Sequence, residues 1–184
     1  MLTIELVAHM DAGDRTAWQD DQDTRPLSEL GRRQSQRLCE AIALEPVDAL
    51  FSSPALRCLQ TIEPVAERFR LTIKTLPNLR ETNGFAPPRG WAGRMLPSDD
   101  PVGGSYAAGR LARAMLEVSE QRSQGRVVVC THGDTLPVFG AFLVGAHALE
   151  LPPLARQRGS WYTIRLAADG SVTARLNSVP DFPA

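Results

Sequence analysis

Two of the three histidines in this chain of 184 residues come directly after short apolar segments. One residue, Ala8, separates His9 from Leu2–Val7, and one residue, Thr131, separates His132 from Arg126–Cys130. Apolar, β-branched runs of this length are typical of strands in a parallel sheet. Ligands of open parallel α/β sheets bind beyond the carboxyl ends of the strands, so both imidazoles are predicted to face each other at that edge. Histidine exchanges protons near neutral pH, so this edge is where we expect the chemistry.

An arginine is predicted near the same edge. Ser52-Ser53-Pro54 ends the predicted strand Val47–Phe51 and opens a helix, with Ser53 as its cap and Pro54 at its first position. The first turn of that helix carries Arg57. A helix N-terminus beside a guanidinium is suited to binding phosphate, although an isolated arginine on a helix is more often a solvated charge.

A carboxylate follows the third predicted strand, Leu71–Leu76. Glu81 stands in the segment Leu79-Arg80-Glu81, at a position where a carboxylic acid donates a proton to a leaving group. The alternative is a solvated loop carboxylate. Two histidines, one arginine and one acid are therefore the candidates for catalysis.

Helical and strand patterns alternate along the chain, which predicts an α/β domain with a mainly parallel sheet. The predicted helices are Ser28–Leu44, Ser53 to about Phe69, Tyr106–Gln121 and Thr135–His147. A hairpin is predicted from Trp161–Leu166 and Val172–Leu176, which flank Asp169-Gly170, and it adds an antiparallel edge. Without an internal repeat or linker, residues 1–184 are expected to form a single domain.

Composition narrows the classes of partner. A formal charge of −1 gives no reason to expect nucleic acid or a membrane surface as the partner. Three widely spaced cysteines argue against a disulfide framework and for a reducing compartment, where they are small buried hydrophobes. The first residues do not resemble a signal peptide, and Val138–Leu149 is too short to span a bilayer. We expect a soluble, cytoplasmic protein.

The segment from Asn78 to Gly104 is rich in proline and glycine and long for a loop in a compact domain. Such loops are commonly functional lids. Arg89, Trp91 and Arg94 are candidates for contacting a substrate; alternatively, Trp91 packs the loop down and the arginines are solvated. The residues themselves do not identify the substrate.

The candidate residues and their neighbours form an ordered series of motifs. In chain order these are Leu6-Val7-Ala8-His9, Arg25-Pro26-Leu27-Ser28 with Gly31 and Gln34, Ser52-Ser53-Pro54-Ala55-Leu56-Arg57-Cys58-Leu59-Gln60-Thr61, and Cys130-Thr131-His132-Gly133. The series resembles the histidine phosphatase (phosphoglycerate mutase-like) superfamily, over roughly residues 2–145. Within it, the short chain and the Arg-Pro-Leu-Ser segment are most similar to the bacterial phosphohistidine phosphatase branch.

The resemblance implies a three-layer α/β/α fold and covalent catalysis that needs no metal or other cofactor. His9 would be the nucleophile and would form a phosphohistidine. Arg57 and His132, with Gly133, would bind the phosphoryl oxygens. Glu81 would protonate the leaving group and then help to activate water. The partner would be a phosphorylated small molecule or a phosphoprotein, and hydrolysis is expected rather than mutase activity.

One departure from the family pattern affects the expected activity. The family carries arginine before the nucleophilic histidine and usually glycine or alanine after it, whereas this chain has Ala8 and Met10. Loss of one charge-stabilising donor typically costs about 100- to 1,000-fold in rate. Arg15, six residues after His9, is a candidate substitute, and the alternative is an exposed loop arginine.

Three hypotheses stay open at this point. The first is a working phosphatase with a rebuilt phosphate site, and the second is a degenerate member that binds a phosphorylated ligand without useful turnover. A metallohydrolase is the third possibility, because His9-x-Asp11 and His132-x-Asp134 are matching pairs of metal-ligand types.

Overall fold

The computed structural model describes residues 1–81, 101–149 and 158–179. Four α-helices, two short 3-10 helices and six strands are defined in these ranges. In chain order the α-helices and strands are β1 (Leu2–Ala8), α1 (Glu29–Ile42), β2 (Ala49–Ser52), α2 (Leu56–Phe69), β3 (Ile73–Thr75), α3 (Pro101–Gln121), β4 (Gly125–Thr131), α4 (Thr135–His147), β5 (Ser160–Leu166) and β6 (Val172–Ser178). None of the helices in the described ranges has the length and apolarity needed to cross a membrane.

The six strands form one sheet in the order β3-β2-β4-β1-β5-β6. The first four strands of that order are parallel, whereas β5 pairs antiparallel with β1 and β6 pairs antiparallel with β5. The carboxyl ends of β1, β2, β3 and β4 therefore meet the beginning of β5 at one edge of the sheet. The predicted α/β class with an antiparallel edge is confirmed.

Helices cover both faces of the sheet, which gives the three-layer arrangement. On one face, Leu38 of α1 and Ile62 of α2 pack against Leu50 and Val128 of the sheet. On the other face, Leu111 of α3 and Phe139 of α4 pack against a core that includes Ile4, Phe51 and Val129. Cys39, Cys58 and Cys130 are buried free thiols, as predicted. Strand residues alternate between the two faces, so Val127 and Val129 of β4 pack in one core while Val128 and Cys130 pack in the other.

Two helices begin at positions that differ from the sequence prediction, and α1 ends at Ile42, two residues before the predicted Leu44. The helix that was predicted to open at Ser53-Pro54 begins at Leu56, its N-cap is Ala55, and that cap makes no side-chain hydrogen bond. The Ser53 hydroxyl instead contacts the His132 ring and accepts from the Ala55 N–H, so it is already occupied. Helix α3 begins at Pro101, five residues before the predicted Tyr106. The predictions for Arg89, Trp91 and Arg94 lie outside the described residues.

The backbone that follows His9 is held by polar side chains of two helices. The Met10 N–H donates to the Thr61 hydroxyl of α2 at 3.0 Å, and the Asp11 N–H donates to the Gln34 amide oxygen of α1 at 2.9 Å. The Met10 side chain is buried in the core on the α1–α2 side of the sheet. These contacts explain why Gln34 and Thr61 occur in the motifs: they satisfy backbone donors that would otherwise be buried without a partner.

Helix α1 approaches this backbone so closely that only glycine fits at its first turn. A β-carbon on Gly31 would stand 1.9 Å from the Asp11 carbonyl oxygen, which accepts from the Ser28 N–H. Ser28 is the observed N-cap of α1, and its hydroxyl accepts from the Gly31 N–H. The conformation of the segment after His9 thus depends on a glycine of α1.

We predict that Gly31→Ala lowers the free energy of unfolding by about 1–3 kcal/mol, the usual cost of overpacking a tight site. Urea unfolding monitored by circular dichroism measures this change. Gly109→Ala is the matched control, because a β-carbon on Gly109 of α3 would meet nothing within 4 Å. That control is expected to be neutral or to stabilise the protein by up to about 1 kcal/mol. Equal stability of the two variants would contradict the proposed close approach.

Candidate active site

The residues singled out in the sequence meet at the carboxyl edge of the sheet. A pocket of about 470 Å³ opens there, and Ala8, His9, Arg15, Glu81 and Gly133 are part of its lining. Arg57 and His132 lie directly behind these residues and are fully buried. The structure thus brings together the catalytic and phosphate-binding candidates, including Arg15, while the proposed substrate contacts Arg89, Trp91 and Arg94 lie outside the described residues.

His9 is held in one tautomer by the backbone. Its Nδ1 lies 2.7 Å from the Met10 carbonyl oxygen, which only accepts hydrogen bonds, so Nδ1 carries the proton. Burial is the main cause that lowers the pKa of His9 from its ordinary 6.5 to about 4; the hydrogen bond to Met10 opposes this shift, and the nearby Arg57 and Arg158 charges add to it. The ring is neutral at pH 7, and its lone pair is at Nε2.

His132 has the opposite tautomer. Its Nδ1 lies 3.2 Å from Nη2 of Arg57, which only donates, so Nδ1 is unprotonated. Nε2 then carries the proton and donates to the Ser53 hydroxyl at 3.0 Å. Burial is the largest cause that lowers the pKa of His132 to about 2, and the adjacent His9 and Arg57 lower it as well. The two imidazoles stand edge to face, with ring centroids 5.4 Å apart.

The Arg57 guanidinium links the residues of the site. Nη2 donates to Glu81 Oε2 at 3.1 Å as well as to His132, and Nη1 donates to the Gln22 carbonyl oxygen. The second Glu81 oxygen accepts from Arg15 at 3.2 Å. Among the described residues, Nε of Arg57 is buried without a hydrogen-bond partner. The site therefore retains donor capacity for a further acceptor.

Among the described residues, four arginines lie at this pocket, and sequence reasoning identified only two of them, Arg15 and Arg57. Arg25 lines it while donating to the Ala12 and Gly13 carbonyl oxygens, and Arg158 lines it while donating to the His9 carbonyl oxygen. Strand β5 pairs antiparallel with β1, so the residues just before β5 lie beside the end of β1. The hairpin prediction would have located Arg158 only if the strand order had also been known.

Asp134 is a second acidic residue of the pocket. Burial, and then the negative charge of Glu81, raise the pKa of its carboxyl above the usual range. Sequence reasoning considered Asp134 only as one half of a His-x-Asp metal pair. Its position directly before α4 brings it to the same edge as Glu81.

The metal hypothesis does not match the roles of these side chains. Within the described residues, no group of three or more His, Cys, Asp or Glu side chains is arranged to hold a metal ion. Both nitrogens of His132 already have partners, so that ring has no free lone pair for a metal ion. The Arg57 guanidinium beside His132 also repels a cation. An oxyanion fits this cluster of donors better than a metal ion does.

A family comparison agrees with this geometry. A sequence model of the histidine phosphatase superfamily (branch 1) matches residues 9–86, which include His9, Arg57 and Glu81. Over this segment, which is less than half of the chain, the sequence is similar to the histidine phosphatase superfamily. The resemblance inferred from the motifs is confirmed at that level.

Individual relatives add detail. An 8-oxo-(d)GTP phosphatase from Mycolicibacterium smegmatis is 26% identical over 181 residues, which are 97% of this chain and 49% of that protein. The chain therefore spans about half the length of this curated relative. The tungstate complex of the protein histidine phosphatase SixA matches with a TM-score of 0.61, 21% identity and 96% coverage of both chains. A phosphoserine phosphatase mutant from Entamoeba histolytica, in complex with phosphoserine, matches with a TM-score of 0.71, 15% identity and 98% coverage of both chains. These structures share the fold, and the assignment to the phosphohistidine phosphatase branch stays a prediction.

The tautomers give a direct spectroscopic prediction. In long-range ¹H–¹⁵N spectra at pH 7, His9 should be neutral and protonated at Nδ1, and His132 neutral and protonated at Nε2. The midpoint for His9 should fall near pH 4, so that the ring is still neutral at pH 5.5, because the folded site disfavours the charged form. His147→Gln removes the third, exposed histidine and simplifies assignment. Protonation of His9 with a midpoint near 6.5 would contradict the assigned electrostatics.

Proposed function

We propose that this protein is a phosphatase that hydrolyses a phosphomonoester or a phosphohistidine through a phosphohistidine intermediate on His9. The observation that carries the proposal is the state of that ring. The Met10 carbonyl holds the proton on Nδ1, so a neutral ring has its lone pair at Nε2. A nucleophile must be unprotonated, and a low pKa keeps this ring unprotonated at neutral pH.

In the first step, the Nε2 lone pair attacks phosphorus and the bond from phosphorus to the leaving oxygen breaks. Glu81, a carboxylate paired with Arg15 and Arg57 at rest, takes up a proton from solvent as those guanidinium groups turn to the phosphoryl group, and it gives that proton to the leaving oxygen. In the second step, Glu81 takes a proton from water as the water oxygen attacks the phosphoryl group, and the phosphorus–nitrogen bond breaks. His9 returns to its neutral form and inorganic phosphate leaves. Each proton that Glu81 donates is recovered, so the site is regenerated.

Binding of the phosphoryl group is proposed to rearrange the ion pairs around Glu81. That carboxylate bonds Arg57 and Arg15 through its two oxygens. An incoming phosphoryl group is also an anion and competes for the same two guanidinium groups. As it takes these donors, Glu81 is released toward the leaving oxygen. Arg57, Arg15, the backbone N–H of Gly133 and His132 then bind the phosphoryl oxygens and stabilise the charge of the transition state.

His132 is proposed to respond to the same anion. Its Nδ1 carries a lone pair while it accepts from Arg57, so it donates to a phosphoryl oxygen only after taking up a proton. A dianion beside the ring favours that uptake. The guanidinium groups and this imidazole together supply the positive charge that other phosphatases obtain from metal ions. We therefore propose that the reaction is metal-independent.

The Ala8 substitution supports a second candidate function. A site that lacks a cation directly before its nucleophile is also expected in a protein that binds a phosphorylated ligand without useful turnover. The names of relatives point to different substrates, since one acts on 8-oxo-(d)GTP and others are a protein histidine phosphatase and a phosphoserine phosphatase. Assays therefore need several classes of substrate.

We predict that the wild-type protein hydrolyses p-nitrophenyl phosphate in the presence of a chelator, and that His9→Ala lowers kcat by at least about 1,000-fold because the nucleophile is gone. The same pair is assayed with phosphoserine, a phosphohistidine peptide and 8-oxo-dGTP. Arg37→Ala, an exposed change on α1, is the control and should keep full activity. Activity that the chelator abolishes would contradict metal independence. Binding of phosphate without turnover of any substrate would favour the ligand-binding alternative.

A further inference from the structure

The pocket wall beside His9 is formed by two small side chains. Ala8 ends β1 and Ser160 begins β5, and both line the pocket. Val7 pairs with Trp161 in the antiparallel register, so Ala8 and Ser160 continue that pairing side by side. Neither side chain is long enough to fill the space or to carry a positive charge. A longer group from a neighbouring segment is therefore able to reach the pocket at this wall.

Arg158 is that group. Its Nη1 donates to the His9 carbonyl oxygen at 3.2 Å, and its side chain lines the same pocket. Gly159, between Arg158 and β5, has a φ of 79°, a conformation that favours glycine. The chain turns there, and Arg158 lies over the end of β1.

A carboxylate of the loop after β1 fixes the orientation of Arg158. Nε of Arg158 stands 3.6 Å from Asp11 Oδ2, while Asp11 Oδ1 accepts from the Ser28 hydroxyl at 2.6 Å and from the Gly13 N–H at 2.9 Å. Partial burial opposes ionisation of Asp11, but these hydrogen bonds outweigh it and lower its pKa. Asp11 is therefore anionic at neutral pH and holds the guanidinium in place.

Arg158 and Arg57 approach His9 from different parts of the chain. Arg57 comes from α2 and lies beside His132, whereas Arg158 comes from the segment before β5 and lies beside the His9 backbone. Both positive charges lower the pKa of the His9 ring. Arg15 lies on the Glu81 side of the pocket, where it forms an ion pair with that carboxylate.

We propose that Arg158 binds a phosphoryl oxygen beside His9 and supplies the positive charge that Ala8 leaves out. The inference deepens the proposed function, since it assigns the phosphate contact next to the nucleophile. It concerns oxyanion binding, so it holds or fails independently of turnover. Arg15 keeps its proposed contact on the Glu81 side of the pocket.

The experiment measures the Kd of tungstate, an oxyanion mimic of phosphate, by isothermal titration calorimetry at constant pH and ionic strength. Arg158→Ala should weaken binding by about 10- to 100-fold, because a charge-assisted contact is lost. Arg37→Ala removes an arginine of similar exposure with a single ion pair, to Glu40, and should bind as wild type does. Thermal unfolding of each variant checks that the fold is retained.

A rescue variant separates phosphate binding from a structural role. Ala8→Arg combined with Arg158→Ala should recover most of the lost affinity, because it returns a guanidinium to the same wall of the pocket. Wild-type affinity in Arg158→Ala, or failure of Ala8→Arg to restore binding, would overturn the inference. So would the absence of tungstate binding by the wild-type protein. Arg158-dependent tungstate binding without hydrolysis of any substrate would uphold the inference and overturn the proposed phosphatase activity.

Discussion

A positive charge buried at the carboxyl edge of the sheet organises the whole site. The Arg57 side chain is fully buried, and a buried charge is tolerated only when it is paired and hydrogen-bonded. Its partners come from three separate parts of the chain: the Gln22 carbonyl, the Glu81 carboxylate and the His132 ring. Removing one partner of such a pair commonly costs about 3–5 kcal/mol, so these segments are held around one guanidinium.

The same charge determines the chemistry of the two histidines. A guanidinium that donates to Nδ1 of His132 fixes the tautomer of that ring, while the Met10 carbonyl fixes His9 in the other tautomer. Burial and the surrounding arginines keep both rings neutral, as their low pKa values indicate. This arrangement suits the proposed attack of a neutral imidazole on an anionic phosphoryl group, because the cations that disfavour protonation of the ring would attract that group.

Much of this arrangement follows from local sequence, and the rest depends on packing. The apolar runs before His9 and His132, the Ser28 cap, the helix Thr135–His147 and the β5–β6 hairpin were all predictable, because each depends on neighbouring residues. Ser53 was misassigned as a helix cap, since its hydroxyl bonds a histidine 79 positions away in the chain. The approach of Arg158 to His9 was not predictable, because it depends on the pairing of β5 with β1. The Gln22 contact with Arg57 was not predictable either, because it is made by a backbone carbonyl, which every residue has.

The central claim is that His9 attacks phosphorus through Nε2. The most direct measurement is to mix enzyme with an activated aryl phosphate, quench in base to preserve phosphohistidine, and locate the phosphoryl group by mass spectrometry and ³¹P NMR. The account predicts phosphate on Nε2 of His9, because Nδ1 is bonded to the Met10 carbonyl. Phosphate on Nδ1 or on another residue, or turnover that persists in His9→Ala, would contradict it.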